Sequence, residues 1–242
     1  MASPAIVLRY FPVRGRAQAL RHALADSGTH FEDLRLPLAD WPALRTDPAF
    51  SGRHRALPTL SWGEEFVAET LPIASFLANR LGHYRGLSDA AVAACEAIVS
   101  SAYIDVMLRL VEVIRADLLH PGAEPARSLA VALPRVLQKF ETLDAGWAGG
   151  AFIGGDRPTM PDFFVAEAIE ALRYVLGPSH EAWLEDTLPH SHVLAEGLLV
   201  RPGLAGCWQS RPARFTARLD EDQVVARLRA GHYVERGIGQ RP

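Results

Sequence analysis

Cysteine is almost missing from this 242-residue chain: Cys95 and Cys207 are the only two, and they share neither a C-x-x-C spacing nor a metal-like cluster. A disulfide framework, a zinc site and a dithiol redox centre all lack support, and a reducing compartment suits the composition. Long hydrophobic runs are missing too. No stretch approaches the ~18 apolar residues of a membrane span, and the opening MASPAIVLRYFPVRGR meets arginine too early for a signal-peptide core. Nor is there a block of like charge: 25 Lys and Arg stand against 28 Asp and Glu, which leaves no electrostatic footprint for nucleic acid or an anionic membrane. Internal repeats and low-complexity tracts are lacking as well. The expectation is a soluble, unexported, cytoplasmic protein with small-molecule or protein partners, and no nucleic-acid, membrane or metal partner.

What is present is apolar material for a core, 49% of the residues. Ala5 to Leu8 is a short apolar run ahead of a Pro12 to Gly15 turn signal, the pattern of a buried strand. RAQALRHALAD, from Arg16 to Asp26, is rich in helix formers and stops at Gly28. Phe31 to Leu36 reads as a second strand, and the proline-containing stretch Pro37 to Arg55 as irregular or briefly helical. Leu57 to Ser61 and Glu65 to Ala68 flank a turn and predict a hairpin, and LPIASFLANRLG after it predicts an amphipathic helix. The order βαβ then ββα makes one compact α/β unit over residues 1–82. HYRGLSD breaks the pattern as a linker over 83–89, and 90–212 is helical throughout: 90–119, 125–144, 159–176, 181–186 and 190–209. Residues 213–242, rich in arginine, read as a C-terminal extension carrying no chemistry.

Four clusters stand out. Tyr10-Phe11-Pro12-Val13-Arg14-Gly15-Arg16 lies where the first strand gives way to the first helix. Free backbone N–H groups and a positive dipole end gather there, so an anionic group can dock and a tyrosine hydroxyl can point into the same crevice. Taken alone, Tyr10 reads more readily as an amphipathic residue with its ring in the core and its hydroxyl at the rim, and it is the surrounding motif that favours the functional reading. Leu57-Pro58 precedes a strand, where a cis proline would turn the neighbouring backbone toward an extended ligand; an ordinary loop proline is the plainer reading. Glu69-Thr70 opens a helix, either as caps or as a carboxylate and hydroxyl that hold an amino-acid head group. Thr159 to Asp162, ahead of FFVAEAIEAL, reads as a capping box with a structural role.

Together these clusters resemble the cytosolic glutathione transferases, and YFPVRGR with its helix is closest to their pi and sigma classes. The resemblance runs over residues 5–212 and includes FETL at 140–143, FIGGDRPTMPD at 152–162 and SRP near 210. It implies an α/β, thioredoxin-like N-terminal domain that binds glutathione, followed by an all-α C-terminal domain forming the electrophile pocket, in a homodimer. Residue by residue, it makes Tyr10 the thiol-activating hydroxyl and puts Arg16 and Trp41 near the glycyl end of glutathione. Leu57 would pair its backbone with the cysteinyl unit beside cis Pro58, and Glu69 and Thr70 would hold the γ-glutamyl head group. Asp105 would reach the γ-glutamyl amine of the neighbouring subunit. Ala56 replaces the usual glutamine and Pro161 the usual alanine, and the expected basic residue between Trp41 and Leu57 is one of Arg45, Arg53, His54 or Arg55.

On this resemblance the protein is a glutathione transferase, with glutathione as co-substrate and no metal. The thiolate would attack a hydrophobic electrophile in a cleft whose far wall, around Tyr103 to Arg115, is mostly apolar through Ile104, Met107, Leu108 and Val111. The alternatives are a binding or regulatory protein of the same fold and, third, a thiol-dependent reductase, which would want cysteine or serine where this chain has Tyr-Phe-Pro-Val.

Overall fold

The computed structural model describes residues 5–146 and 150–230. β1 (Ile6–Tyr10) alternates buried Ile6, Leu8 and Tyr10 with half-buried Val7 and Arg9, the period-two pattern of a strand with one face in a core. Beside it β2 (Glu32–Arg35) runs parallel, with Tyr10 opposite Arg35. A parallel pair needs a crossover, and α1 (Gln18–Asp26) supplies it. On the other side of β1 the antiparallel hairpin of β3 (Thr59–Trp62) and β4 (Glu65–Ala68) completes a four-stranded sheet of order β2-β1-β3-β4. α4 (Thr70–Arg80) follows the hairpin, and Leu20 and Leu24 of α1 join Ile73 and Leu77 of α4 in one buried cluster with Leu8 and Leu60 of the sheet. The stretch between β2 and β3 holds a short 3-10 turn (Leu38–Asp40), α2 (Trp41–Leu44) and α3 (Pro48–Ser51).

The second half is helical. α5 (Asp89–Ser100) starts at Ser88, whose hydroxyl accepts the Ala91 N–H, and continues through a π-helical stretch, Ser101–Met107, into α6 (Leu108–Ile114) and α7 (Ala116–Leu119). α8 (Pro125–Ala145) and α9 (Met160–Leu176) follow. Every residue of α9 from Met160 to Leu172 is buried, which makes it the central helix of the molecule. At its start the Asp162 carboxylate accepts the Thr159 N–H (2.7 Å), the Thr159 hydroxyl (2.8 Å) and the Ile153 N–H (2.7 Å), while Pro161 sits in the first turn, where its missing N–H costs nothing. Gly154 lies so close to this cap that a Cβ there would stand 2.5 Å from Thr159 Cγ2. α10 (Glu181–Thr187), α11 (Pro189–Leu199), α12 (Pro202–Gln209) and α13 (Glu221–Ala230) end the described chain.

Three features depart from the sequence reading. The span 90–119 is interrupted by the π-helical stretch and by a break at Arg115 (φ −103, ψ 8), and 190–209 breaks at Arg201, ahead of Pro202. The extension is an arm that packs on the body, not a featureless tail: Phe215 is buried and α13 lies against α8 and α9. Residues 231–242 of that extension lie outside the described residues. Finally, one of two buried clusters runs through both halves, with α1 packed on α4, α9 and α12.

Candidate active site at the end of the first strand

Tyr10 closes β1, and its carbonyl accepts the Leu36 N–H (2.8 Å), so the strand is held to its last residue. The chain then turns through Pro12 to Ala17 before α1 begins at Gln18, two residues later than the composition suggests. In this turn the Arg16 N–H donates to the Tyr10 hydroxyl (3.1 Å), so an amide ahead of the helix, not one within its first turn, meets the phenol. Gly15 makes the approach possible. Its φ is +37, and a Cβ there would stand 2.6 Å from the Tyr10 hydroxyl and 3.2 Å from the Phe215 carbonyl.

Burial raises the Tyr10 phenol above its ordinary value, while the Arg16 amide and the charges of Arg16, Arg21 and Arg115 pull the other way. The group is neutral at physiological pH. A hydroxyl has one proton to give and two lone pairs. Tyr10 uses a lone pair on Arg16 and, among the described residues, donates its proton to nothing.

The residue next to this pair is anchored from the other half of the molecule. Arg14 is buried and forks onto Glu167 of α9, Nε to Oε1 at 2.9 Å and Nη2 to Oε2 at 2.8 Å, with its guanidinium 4.1 Å from the centre of the Phe215 ring. Its N–H donates to the Arg214 carbonyl (2.8 Å). Sequence reasoning placed Arg14 inside the first cluster without giving it a role, because its partner lies 153 residues away.

Tyr10 faces a cavity of ≈ 670 Å³. Tyr10, Arg16, Trp41 and Leu57 line it together, with Phe11 set edge-on to Trp41 at 5.6 Å. The Leu57-Pro58 peptide is cis. Thr70 and Glu69 stand behind this wall instead of in it. The Thr70 hydroxyl donates to the Arg16 carbonyl (3.2 Å) and accepts from Tyr103 (3.0 Å), and the Glu69 N–H donates to the Pro58 carbonyl (3.1 Å). Glu69 has φ +74, a left-handed conformation rare for a non-glycine residue. Asp105 is not brought to the cavity of its own chain; it pairs with Lys139 (3.1 Å) and borders a separate groove shared with Arg109, Arg127 and Arg135. None of Arg45, Arg53, His54 and Arg55 lines the cavity, and Ala56 does.

The far wall corrects the apolar set expected from the sequence. Leu108 and Val111 line it, but Met107 is buried in the core and Ile104 is exposed elsewhere. Both fall on the π-helical stretch, whose wider turn shifts the face that a plain α-helix would present. Leu118 and Leu119 of α7 and Phe215, Thr216, Ala217 and Arg218 of the arm complete the wall. Arg218 joins arm to α7: its guanidinium binds both Asp117 oxygens, Nη2 to Oδ2 at 2.7 Å, and Nη2 also reaches Asp220 Oδ2 at 2.8 Å. The Glu221 carboxylate accepts the Phe215 (2.7 Å) and Thr216 (2.8 Å) N–H groups, which fixes the turn.

Two other chemistry-bearing groups lie outside the cavity. Cys95 and Cys207 are unpaired, and burial pushes the Cys207 thiol up to about 11, so it is a poor nucleophile. Glu181, His192 and Glu196 could surround a cation, but Arg173 already occupies the position, 2.7 Å from Glu181 and 2.9 Å from Glu196.

Residues 89–195 match the family model described as glutathione S-transferase, C-terminal domain. The chain is 31% identical over 180 residues to glutathione S-transferase P of Capra hircus, covering 74% of this chain and 80% of the relative. It is 28% identical over 220 residues to hematopoietic prostaglandin D synthase of Gallus gallus, covering 86% and 98%. Among solved structures it is similar to the Fasciola hepatica sigma class enzyme, with a TM-score of 0.71 at 23% identity, covering 88% of this chain and 99% of that one.

Proposed function

This chain belongs to the glutathione S-transferase family, and we propose that it activates the thiol of glutathione through the Tyr10 hydroxyl and transfers the thiolate to a hydrophobic electrophile. A free thiol has a pKa of about 8.5, so only a few per cent is thiolate at neutral pH. Lowering that pKa by about two units requires about 2.7 kcal/mol of preference for the thiolate. A hydrogen bond to a charged group contributes about 1.5–3 kcal/mol, so one phenol donor brings most of it. The observation that carries the reading is the state of Tyr10. It is buried, held protonated, fixed by the Arg16 amide and, among the described residues, left with its proton unused. Arg16, Trp41 and Leu57 line the same cavity, the first two for the glycyl end and Leu57 with its backbone for the cysteinyl unit, while Glu69 and Thr70, behind that wall, are given the γ-glutamyl end by the family resemblance.

The thiol proton passes to solvent and the sulfur attacks an electrophilic carbon; either the leaving group takes the electron pair of the bond that breaks, or the pair of an attacked double bond moves to its far atom, which is protonated from water. Leu108, Val111, Leu118 and Phe215 of the far wall favour an apolar electrophile. The active form on this reading is a cytoplasmic homodimer, with Asp105 directed to the neighbouring subunit's γ-glutamyl amine and detoxification as the role.

The test is a glutathione titration of wild type and Tyr10→Phe, read by thiolate absorbance in the ultraviolet near neutral pH. Thiolate in wild type that is lost in the variant, with turnover falling about 10²–10³-fold, is expected from removal of one preorganised donor. Equal thiolate signals would remove Tyr10 from the chemistry, and glutathione bound without thiolate or turnover would make this a binding protein. Sedimentation velocity, with Asp105→Ala tested for weakened glutathione binding, decides the dimer.

A further inference from the structure

Three guanidinium groups line the cavity, from Arg16, Arg115 and Arg218, and they differ in what balances them. Arg218 is compensated twice, by Asp117 and by Asp220. Arg16 stands on the Tyr10 side, where the proposed function gives it the glycyl carboxylate. Arg115 stands on the opposite wall, at the break between α6 and α7, and among the described residues it makes no ion pair. The acids around it are taken. Glu112, one turn back and also lining the cavity, pairs with Arg109 (2.9 Å), and Asp117, two residues on, is held by Arg218. Its backbone is spoken for too, since its N–H donates to the Val111 and Glu112 carbonyls and its carbonyl accepts from Leu118 and Leu119. What remains is an exposed positive side chain rising from an apolar rim made by Leu108, Val111, Leu118 and Leu119. That charge is felt at the Tyr10 hydroxyl across the cavity.

We propose that Arg115 is an anion-binding residue of the electrophile subsite, so that the second substrate is an amphipathic acid: an apolar body seated against the leucines and Phe215, with a carboxylate paired to Arg115 at the cavity rim. The inference rests on the transferase reading for the word substrate, but the binding it describes does not require turnover. An uncompensated guanidinium beside apolar walls selects such a molecule in two ways. The planar fork accepts a carboxylate bidentately. The rim position leaves the carboxylate partly hydrated, so its desolvation cost stays small while the apolar body is buried.

The experiment measures binding of an unreactive pair, 4-phenylbutanoate and 4-phenylbutanamide, by calorimetry in saturating glutathione, with the thiolate absorbance of each sample recorded alongside. Wild type is expected to bind the acid about tenfold more tightly than the amide, a preference set by one charge-assisted pair. Arg115→Gln is expected to erase the preference, Arg115→Lys to keep part of it, and rising salt to weaken it in wild type. No preference for the acid in wild type overturns the proposal. A preference that survives in Arg115→Gln also overturns it and moves the acid to the Arg109, Arg127 and Arg135 groove. A thermal melt of each variant separates loss of the site from loss of the fold. Loss of thiolate signal with the acid preference intact would count against the Tyr10 reading and leave the Arg115 site standing.

Discussion

The two walls of the cavity are built on different terms. On the Tyr10 side, Tyr10, Gly15, Thr70 and Tyr103 are buried and joined by hydrogen bonds from Tyr103 to Thr70, Thr70 to the Arg16 carbonyl and the Arg16 amide to Tyr10. Behind them Arg14 is locked to Glu167. On the other side α7 is a four-residue helix, Leu118 and Leu119 are 58% and 43% exposed, and Arg115 carries an unspent charge. A wall that must place one sulfur atom against one hydroxyl tolerates little movement, since catalytic geometry is lost with small displacements. A wall that receives varied apolar bodies gains from loosely packed side chains. On the proposed function, the contrast assigns constancy to the thiol side and adaptability to the electrophile side.

The sharpest way to break that contrast is to remove the anchor of the rigid wall. Arg14→Met leaves the buried Glu167 carboxylate without its fork, and a loss of about 3–5 kcal/mol is expected in urea denaturation. Adding Glu167→Leu to that variant is expected to restore most of it, because removing both charges removes the uncompensated one. A double variant no more stable than Arg14→Met would mean that the Arg14 guanidinium stacked on Phe215, not the ion pair, is the anchor.

A smaller but more local effect is expected from Gly15→Ala. The added Cβ meets the Tyr10 hydroxyl at 2.6 Å in a backbone with φ +37, so the phenol has to move. A stability cost of about 1–2 kcal/mol from the left-handed conformation is expected, together with loss of the thiolate absorbance. A variant with full thiolate signal would show that the rigid wall has slack at its tightest point.

Acid also tests the rigid side selectively. Burial, followed by the charges of Arg14, Arg211 and Arg21, holds His22 of α1 well below its ordinary value of 6.5. The unfolded chain takes up this proton below pH 6.5 and the folded one does not, so stability holds above that pH and falls below it. The slope from this group is at most about 1.4 kcal/mol per pH unit. His83 is depressed as well, mainly by burial, and adds in the same direction. Denaturant midpoints compared at neutral and mildly acidic pH should show a steeper decline in wild type than in His22→Gln. Parallel declines would place the acid sensitivity elsewhere.

The smallest change is expected on the adaptable wall. Leu118→Ala should alter stability by less than about 0.5 kcal/mol, as for other exposed positions. It should raise KM for a bulky apolar electrophile about threefold through lost contact area while leaving glutathione affinity alone. A large stability loss there would end the contrast between the walls.

Much of the rigid wall could be read from the sequence because its signals are local. A strand that ends in Tyr-Phe-Pro, a proline before the next strand and a Glu-Thr pair opening a helix are each set by neighbouring residues, and the resemblance of their order to a known family placed them in one site. The adaptable wall could not be read in the same way. Ile104 and Met107 were expected there as apolar residues of the helix that the resemblance places at the far wall, but the π-helical stretch Ser101–Met107 rotates them away. The arm was passed over because it shows an arginine-rich composition and no motif, yet Phe215 to Arg218 close the cavity.

What the sequence determined by itself is the order of elements, from mixed sheet to helices, and the place of Tyr10 at the end of the first strand. Hydrophobic period, turn chemistry and capping act over a few residues, so they are written in consecutive letters. Tertiary structure alone decided that Arg14 belongs to Glu167, that residues 215–218 complete a pocket begun at Tyr10, and that Arg115 is left without an acid among the described residues. These depend on which groups meet after the chain has folded back over 100 or more positions, as Arg14 and Glu167 (153 apart) and Arg218 and Asp117 (101 apart) do. Nothing in the spacing of residues along the chain fixes which buried charge finds a partner and which stays free.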